Sequence, residues 1–315
     1  MKVVYGIDGF QVTSRPVCVA IGTFDGLHRG HQAVIQMARE TAARSSGEAV
    51  VTTFDPHPLS IIAPPADPFL LSTLDERIAL FEATGVDALV ILRFDQRLRE
   101  IQAPDWLELI AGRLGARHIV VSSNHTFGQH RQGTVGVLQA WAAARNIGVA
   151  VVPPVADAGQ IISSSTIRER LRRGDVPQAA VSLGRWYGVT GVVIRGEGRG
   201  RRLGVPTANV EVPREKLVPA RGVYAAYATL AGDSYPAAVN IGVRPTFGGQ
   251  VVAVEAHLLG VDLDLYGRVL TLGFVERLRD ERAFPGPEAL LVQIQADIAS
   301  TQRLLAVRPG RLEAS

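Results

Sequence analysis

The sequence predicts an α/β half, a parallel sheet with helices on both faces, followed by a small antiparallel β-barrel that ends in one helix. Three observations carry that prediction. Through the first half, apolar runs of strand length alternate with segments of helical periodicity, which is the pattern of right-handed βαβ crossovers. The first of these units turns through a glycine-rich stretch, Ile21 to His31. Beyond residue 185 the helical period is lost, and short runs rich in Val, Tyr and Ala are broken by Gly and Pro. At roughly 100–200 residues per domain, 315 residues that are 47% hydrophobic make two domains, expected over 1–184 and 185–315.

Taken in order, Val17 to Ile21 is a buried strand and Gln32 to Ser46 a helix stopped by Gly47. Ala49 to Phe54 is a strand. Ser72 to Thr84 is a helix capped by Ser72 with Asp75 three residues on, and closed by Gly85. Ala88 to Leu92 is a strand, Pro104 to Leu114 a helix with proline in its first turn, His118 to Ser122 a strand, Thr134 to Arg145 a helix and Val149 to Val152 a strand. Ligands of such sheets bind at the carboxyl ends of the strands, so the residues just after each strand carry the chemistry.

After the first strand, Gly22 to Gly30 brings the opening amides of a helix to a strand end, where unsatisfied N–H groups and the helix dipole favour an anion. His28 and His31 add donors that reach a phosphoryl oxygen near neutral pH, and Gly30 lets the backbone come close. After the second strand, the prolines of Asp55-Pro56-His57-Pro58 hold the backbone extended and place Asp55 and His57 on one side. After the fourth comes the polar loop Asn124-His125-Thr126-Phe127-Gly128, with Arg131 and Gly133 beyond. After the fifth, Ser163, Ser164 and Ser165 open a helix on which Arg168 can pair with phosphate bidentately.

In the second half, strands are expected over Gly188 to Ile194, Gly222 to Leu230, Tyr235 to Asn240, Val251 to Leu259 and Arg268 to Val275, with a helix from Pro287 to Leu305. The stretch Gly196 to Asn209 fits neither a dinucleotide fingerprint nor a P-loop. Its Thr207 and Asn209, two apart on a strand, offer an oxygen pair suited to Mg²⁺ and phosphate. Glu255 stands in an apolar strand, where a carboxylate needs a partner or a task.

The stretch Ile21 to His31 resembles the H-x-G-H signature of the nucleotidyltransferase superfamily, and its longer form, G-x-F-D-G-x-H-x-G-H, is similar to that of the bacterial bifunctional riboflavin kinase/FAD synthetases. Thr53 to Pro58, Asn124 to Gly128 and Ser163 to Arg168 resemble later segments of the same adenylyltransferase half; Ser122 stands where that pattern has glycine and His125 where it has an aromatic. Gly200 to Asn209, Asn240 to Phe247 and Val254 to Leu259 resemble the riboflavin kinase half, so that the likeness covers residues 15–305. It implies a Rossmann-like nucleotidyltransferase domain and a kinase barrel that make FMN from riboflavin and ATP, then FAD from FMN and ATP. On this resemblance His28 and His31 stabilise the α-phosphate, and Arg168 with the serines holds the leaving pyrophosphate. Gly22, Phe24, Gly30, Gly196 and Gly204 line nucleotide, while His125 and Arg244 meet flavin and Asn124 orients flavin or metal. Thr207 and Asn209 hold Mg-ATP, and Glu255 takes the proton of the ribityl hydroxyl. An imidazole at 125, able to charge near pH 6.5, is expected to weaken flavin stacking in acid.

Composition limits the rest. The formal charge is +3, and Lys2 and Lys216 are the only lysines, so no nucleic-acid surface is expected. Cys18 is the only cysteine and lies in an apolar run, which excludes an internal disulfide and a cysteine zinc cluster. No apolar run reaches the ~18–20 residues of a membrane span and no signal peptide is evident, so a cytoplasmic protein is expected. The rival readings are a nucleotidyltransferase acting on another phosphate, against which the P-T-A-N segment argues, and a non-catalytic flavin-binding protein, against which the retained His28, His31, Arg168, Thr207, Asn209 and Glu255 argue.

Overall fold

The computed structural model of the chain describes residues 1–196, 198, 200, 204–246, 249–261 and 263–307, and of residues 244–246 and 249–251 the backbone alone. Two compact units are present, Met1–Asp67 with Ser72–Ser164, and Pro68–Leu71 with Ser165–Ser315.

The first unit is a six-stranded sheet of β1 (Lys2–Tyr5), β2 (Val17–Ile21), β3 (Glu48–Asp55), β4 (Ala88–Arg93), β5 (Ala116–Ser122) and β6 (Gly148–Val152), in the order β1-β4-β3-β2-β5-β6. All its pairings are parallel. Strands buried on both faces explain the unbroken apolar runs. Val17, Val19 and Ile21 pack on one face with Trp106, Leu107 and Leu138, while Cys18 and Ala20 pack on the other with Val34, Ile35 and Phe81. The crossovers are α1 (Arg29–Arg44), α2 (Pro58–Ile62), α3 (Leu74–Thr84), α4 (Gln96–Glu100), α5 (Ala103–Leu107) and α6 (Val135–Ala143). The order reverses between β2 and β5. A doubly wound sheet opens its ligand crevice at such a point, so the loops after these two strands face it.

Several expectations are corrected here. The edge strand β1 is new, too short for its period to show in sequence. The cap of α3 is Thr73 in a reciprocal box with Glu76, not Ser72 with Asp75, because Ser72 is engaged elsewhere. The helix expected over 104–114 is α5 continued by a wider π turn, Glu108–Gly112. His57 does not extend a stiff loop: its Nδ1 accepts the Leu59 N–H at 3.0 Å and starts α2 at Pro58.

The second unit is a closed antiparallel barrel. Its strands β9 (Tyr187–Ile194), β10 (Ala208–Glu211), β11 (Gly222–Leu230), β12 (Asp233–Thr246), β13 (Gly249–Leu258) and β14 (Val269–Arg279) run in the order β10-β13-β12-β11-β14-β9, and β10 pairs with β9 to close it; β7 (Ala156–Asp157) and β8 (Gln160–Ile161) form a separate two-stranded hairpin. The barrel packs with α8 (Val176–Leu183) and α9 (Pro287–Ala306), and α7 (Ser164–Arg172) lies almost wholly in the same unit. Arg279 grips Asp297 of α9 through Nε at 3.1 Å and Nη2 at 2.8 Å. Segment 68–71 lies along Glu215 to Leu217: the Leu70 N–H donates to Glu215 O at 2.9 Å and the Leu217 N–H to Leu70 O at 2.9 Å. Lys216, 2% exposed, donates from Nζ to Leu71 O at 2.7 Å and lies 4.5 Å from the Tyr187 ring centroid.

Candidate active sites

The loop after β2 departs from ordinary backbone at Phe24, Gly26 and Leu27, all at positive φ. Such alternation turns successive amides to one side and persists only where the surroundings impose it. A side chain at 22 would press on the Phe24 ring, which explains Gly22. Asp25 is 2% exposed and accepts the Ser72 N–H at 2.9 Å and the Ser72 hydroxyl at 3.2 Å; the Gly26 N–H donates to Ser72 Oγ at 2.9 Å. Ser164 Oγ donates to Asp25 O at 3.0 Å, which brings Ser164 against this loop.

His28 is the N-cap of α1, one turn ahead of the expected start, and its Nδ1 accepts the His31 N–H at 3.3 Å. That bond puts the neutral ring's proton on Nε2. The two imidazoles stack at 3.6 Å, and the Phe24 ring meets His31 edge-on at 5.2 Å. A Cβ at Gly30 would lie 3.1 Å from His28 Cε1, so glycine leaves the imidazole room to sit on the helix end. Phe24, Gly30, His28, His31 and Ser164 are thus gathered around one helix N-terminus. Ser163 belongs to the same unit. Ser165 and Arg168 belong to the second, where Arg168 Nε donates to Phe69 O at 2.6 Å and the guanidinium lies 5.6 Å from the Phe69 ring centroid.

In the loop after β5, Ser122 Oγ donates to Asn124 Oδ1 at 2.8 Å, a hold on Asn124 that glycine at 122 would not provide. His125 stacks on Phe127 at 5.7 Å beside Trp106, and its Nε2 is buried without a hydrogen-bond partner among the described residues. Burial pushes its pKa down to about 4. The expectation that it charges near pH 6.5 is therefore wrong: desolvation keeps the ring neutral through that range.

On the barrel, Asn209 of β10 stands opposite Glu255 of β13, and Glu255 opposite Asn240 of β12. Their neighbours Val210, Val254, Ala256, Val239 and Ile241 are buried in the barrel core, so this row of three polar residues lies on the outer face. Opposite residues have Cβ atoms ~4.5–5.5 Å apart, close enough for the amides to orient the carboxylate. Thr207 precedes β10. His257 Nδ1 donates to Pro206 O at 2.7 Å, which fixes the turn that delivers Thr207. A Cβ at Gly196 would collide with the Asn209 amide, and one at Gly200 would lie 3.1 Å from Thr207 Oγ1, so both glycines let their loop lie directly on the Thr207 and Asn209 side chains. Gly204 takes φ +76°. Residues 197, 199 and 201–203 of this loop, and the side chain of Arg244, lie outside the described residues.

Sequence reasoning gave no individual site role to Arg77, Ser72, Asn240, His257 or Lys216. Arg77 had a signal, since it falls on the apolar stripe of α3 between Leu74 and Phe81, where a charge is out of place. Lys216 had one as well, as an isolated lysine in a chain that otherwise uses arginine.

A family profile described as FAD synthetase matches residues 11–166, and one described as riboflavin kinase matches residues 183–305. The bifunctional riboflavin kinase/FMN adenylyltransferase of Pseudomonas fluorescens is 36% identical over 97% of this chain and 98% of its own. That of Escherichia coli K12 is 32% identical over 94% of this chain and 96% of its own. A crystal structure described as a macrolide-efflux protein from Streptococcus pneumoniae superposes with a TM-score of 0.88 at 28% identity, covering 96% of this chain and 99% of that one. Among the described residues no helix is long and apolar enough to cross a membrane.

Proposed function

Because the chain belongs to the bifunctional riboflavin kinase/FMN adenylyltransferase family, we propose that its two reactions, riboflavin and ATP to FMN and then FMN and ATP to FAD, are divided near residue 185 and carried by the residues gathered at its two phosphate-handling sites. The observation that carries the reading is that each half holds its own such site: the stacked histidines at the head of α1, and the Asn209–Glu255–Asn240 row beside Thr207.

In adenylyl transfer the FMN phosphate attacks the α-phosphorus of ATP in line and pyrophosphate leaves. The protein's work is positioning and stabilisation of spreading charge. His28, as an Nε2–H donor, and His31 meet the α-phosphate at the helix end. Ser163 and Ser164, in the same unit as these histidines, hold the departing pyrophosphate. Asn124, oriented by Ser122, and the neutral His125 ring receive the flavin.

In phosphorylation Glu255 takes the proton of the ribityl 5′-hydroxyl as that oxygen attacks the γ-phosphorus, and the bond from the γ-phosphorus to the bridging oxygen breaks to release ADP. Asn209 and Asn240 flank the carboxylate, and the loop of Gly196, Gly200 and Gly204 lies over the nucleotide. The hydroxyl of Thr207 and the amide oxygen of Asn209 are hard donors that suit Mg²⁺ held mainly through ATP phosphates. The ion would neutralise phosphate charge there. Among the described residues no cluster of three His, Cys, Asp or Glu competes as a metal site. Both reactions consume ATP, which supports the reading of a cytoplasmic protein.

The test is to incubate the protein with riboflavin and ATP, with and without Mg²⁺, and separate the flavins. Wild type should yield FMN and then FAD only with the metal. Glu255→Ala should lose riboflavin phosphorylation by ~10²–10⁴-fold and still adenylylate supplied FMN. His28→Ala or His31→Ala should lose FAD formation by ~10²-fold and keep phosphorylation. Riboflavin returned unchanged by folded wild-type protein, or equal loss of both activities in each variant, would sink the reading.

A further inference from the structure

We propose that Arg77 is a positioning residue for adenylyl transfer, its buried guanidinium locking the loop after β2 to the end of β3 so that His28 and His31 are held in register with their substrate. The proposal rests on the adenylylation reading above and concerns a residue outside the motif stretches.

Arg77 is 1% exposed. One nitrogen, Nη1, donates to Thr23 O at 3.1 Å, Thr53 Oγ1 at 3.2 Å and Phe54 O at 3.1 Å, while Nη2 faces Asp55 Oδ1 at 3.8 Å. Thr53 Oγ1 in turn donates to Thr23 O at 2.8 Å. The loop after β2 and the end of β3 are therefore tied through the one nitrogen Nη1, with Nη2 set beside Asp55, and the Thr53 hydroxyl between them completes the tie.

A buried guanidinium is a poor device for stability alone, because an apolar residue of similar volume usually does as well or better. Burial lowers the pKa of Arg77, and only Asp25 and Asp55 oppose that effect. Its Nε has no hydrogen-bond partner among the described residues. The cost is retained where the carbonyls of Thr23 and Phe54 need a donor that reaches both.

The rest of the loop is held by the same helix. Ser72, just before its cap, clamps Asp25 and Gly26, and Phe81, one turn beyond Arg77, meets the Phe24 ring edge-on at 5.6 Å. Phe24 passes the contact to His31, and His31 stacks on His28. Thus α3 holds Thr23 and Phe24, and Ser72 just ahead of its cap holds Asp25 and Gly26, without touching a reacting atom. A displacement of about 1 Å at the reacting centre can cost ~10²-fold in rate, so a loosened loop should show in turnover.

The experiment compares Arg77→Lys, Thr53→Val and Thr53→Ser in the full chain, measuring kcat and KM for FAD formation from FMN, riboflavin phosphorylation by the same samples, and Tm. Arg77→Lys keeps the charge and loses the fork; Thr53→Val loses the hydroxyl and Thr53→Ser restores it. The expected result is a fall of FAD-forming kcat by ~10²-fold in Arg77→Lys, a smaller fall in Thr53→Val and recovery in Thr53→Ser, with KM for ATP moving less than kcat and phosphorylation unchanged. Wild-type kcat in folded Arg77→Lys, whatever its Tm, overturns the proposal. If Arg77→Lys does not fold, the Thr53 pair decides: equal kcat in Thr53→Val and Thr53→Ser overturns it. Wild type that forms no FAD refutes the adenylylation reading itself, whereas active wild type with unaffected variants refutes only the role of Arg77.

Discussion

His125 carries its imidazole against Phe127 and Trp106, and burial keeps that ring neutral down to about pH 4. Unfolded, the same side chain takes a proton near pH 6.5. Between those values the unfolded chain binds more protons, so stability must fall as pH drops from about 6.5 to 4 and be flat with respect to this group above that window. The contribution reaches about 3 kcal/mol at the acid end. His125→Phe should remove that slope, and Tm measured from pH 4 to pH 7 for both proteins checks it; parallel curves would show that His125 is not the group responsible. His125 itself should add no pH dependence to FMN affinity, so wild type and His125→Phe should change in parallel from pH 7 to pH 5 as the FMN phosphate titrates. The residue type was legible in sequence, but its titration was not. The pKa depends on enclosure by Trp106, which comes from a distant helix, and no local pattern reports that.

At the scale of elements, strands and long helices were read from period alone because both faces of the sheet are buried, and the inward positions of the barrel alternate with outward ones. What local sequence could not supply was competition for a side chain. Ser72 and Thr73 are both good caps, and Thr73 takes the role because Asp25 recruits Ser72. Likewise, Glu255 was visible as an odd carboxylate, but its placement between Asn209 and Asn240 is a matter of strand register. The loop that follows β9 makes its own prediction. A methyl at Gly196 would collide with the Asn209 amide, so Gly196→Ala should displace that loop or that side chain and lower riboflavin phosphorylation by at least ~10-fold, with FAD formation from FMN intact. Wild-type phosphorylation in Gly196→Ala would show that Asn209 does not work in the position described.

At the scale of the molecule, the chain crosses between its compact units at residues 67/68, 71/72 and 164/165, and α7 and α8 pack with the second. Val176, Ala179 and Leu183 of α8 are wholly buried. A fragment beginning at 165 keeps them, whereas one beginning at 185 leaves the ground they cover exposed to water. The longer fragment should melt higher by roughly 10 °C or more, and equal Tm values would show that α8 adds nothing. The order of the two halves was legible because each carries its phosphate-handling residues in one short run. Segment 68–71 was not, since four residues that leave one unit and join another have no period of their own. That segment makes the lysine count useful. Lys2 is exposed, while the Lys216 amine is occupied with Leu71 O and shut behind Tyr187. An acylating reagent should therefore mark Lys2 at once and reach Lys216 only when the segment lifts away. Peptide mass analysis over time would turn that one amine into a clock for the opening, and acylation of Lys216 as fast as Lys2 would mean that it is never closed.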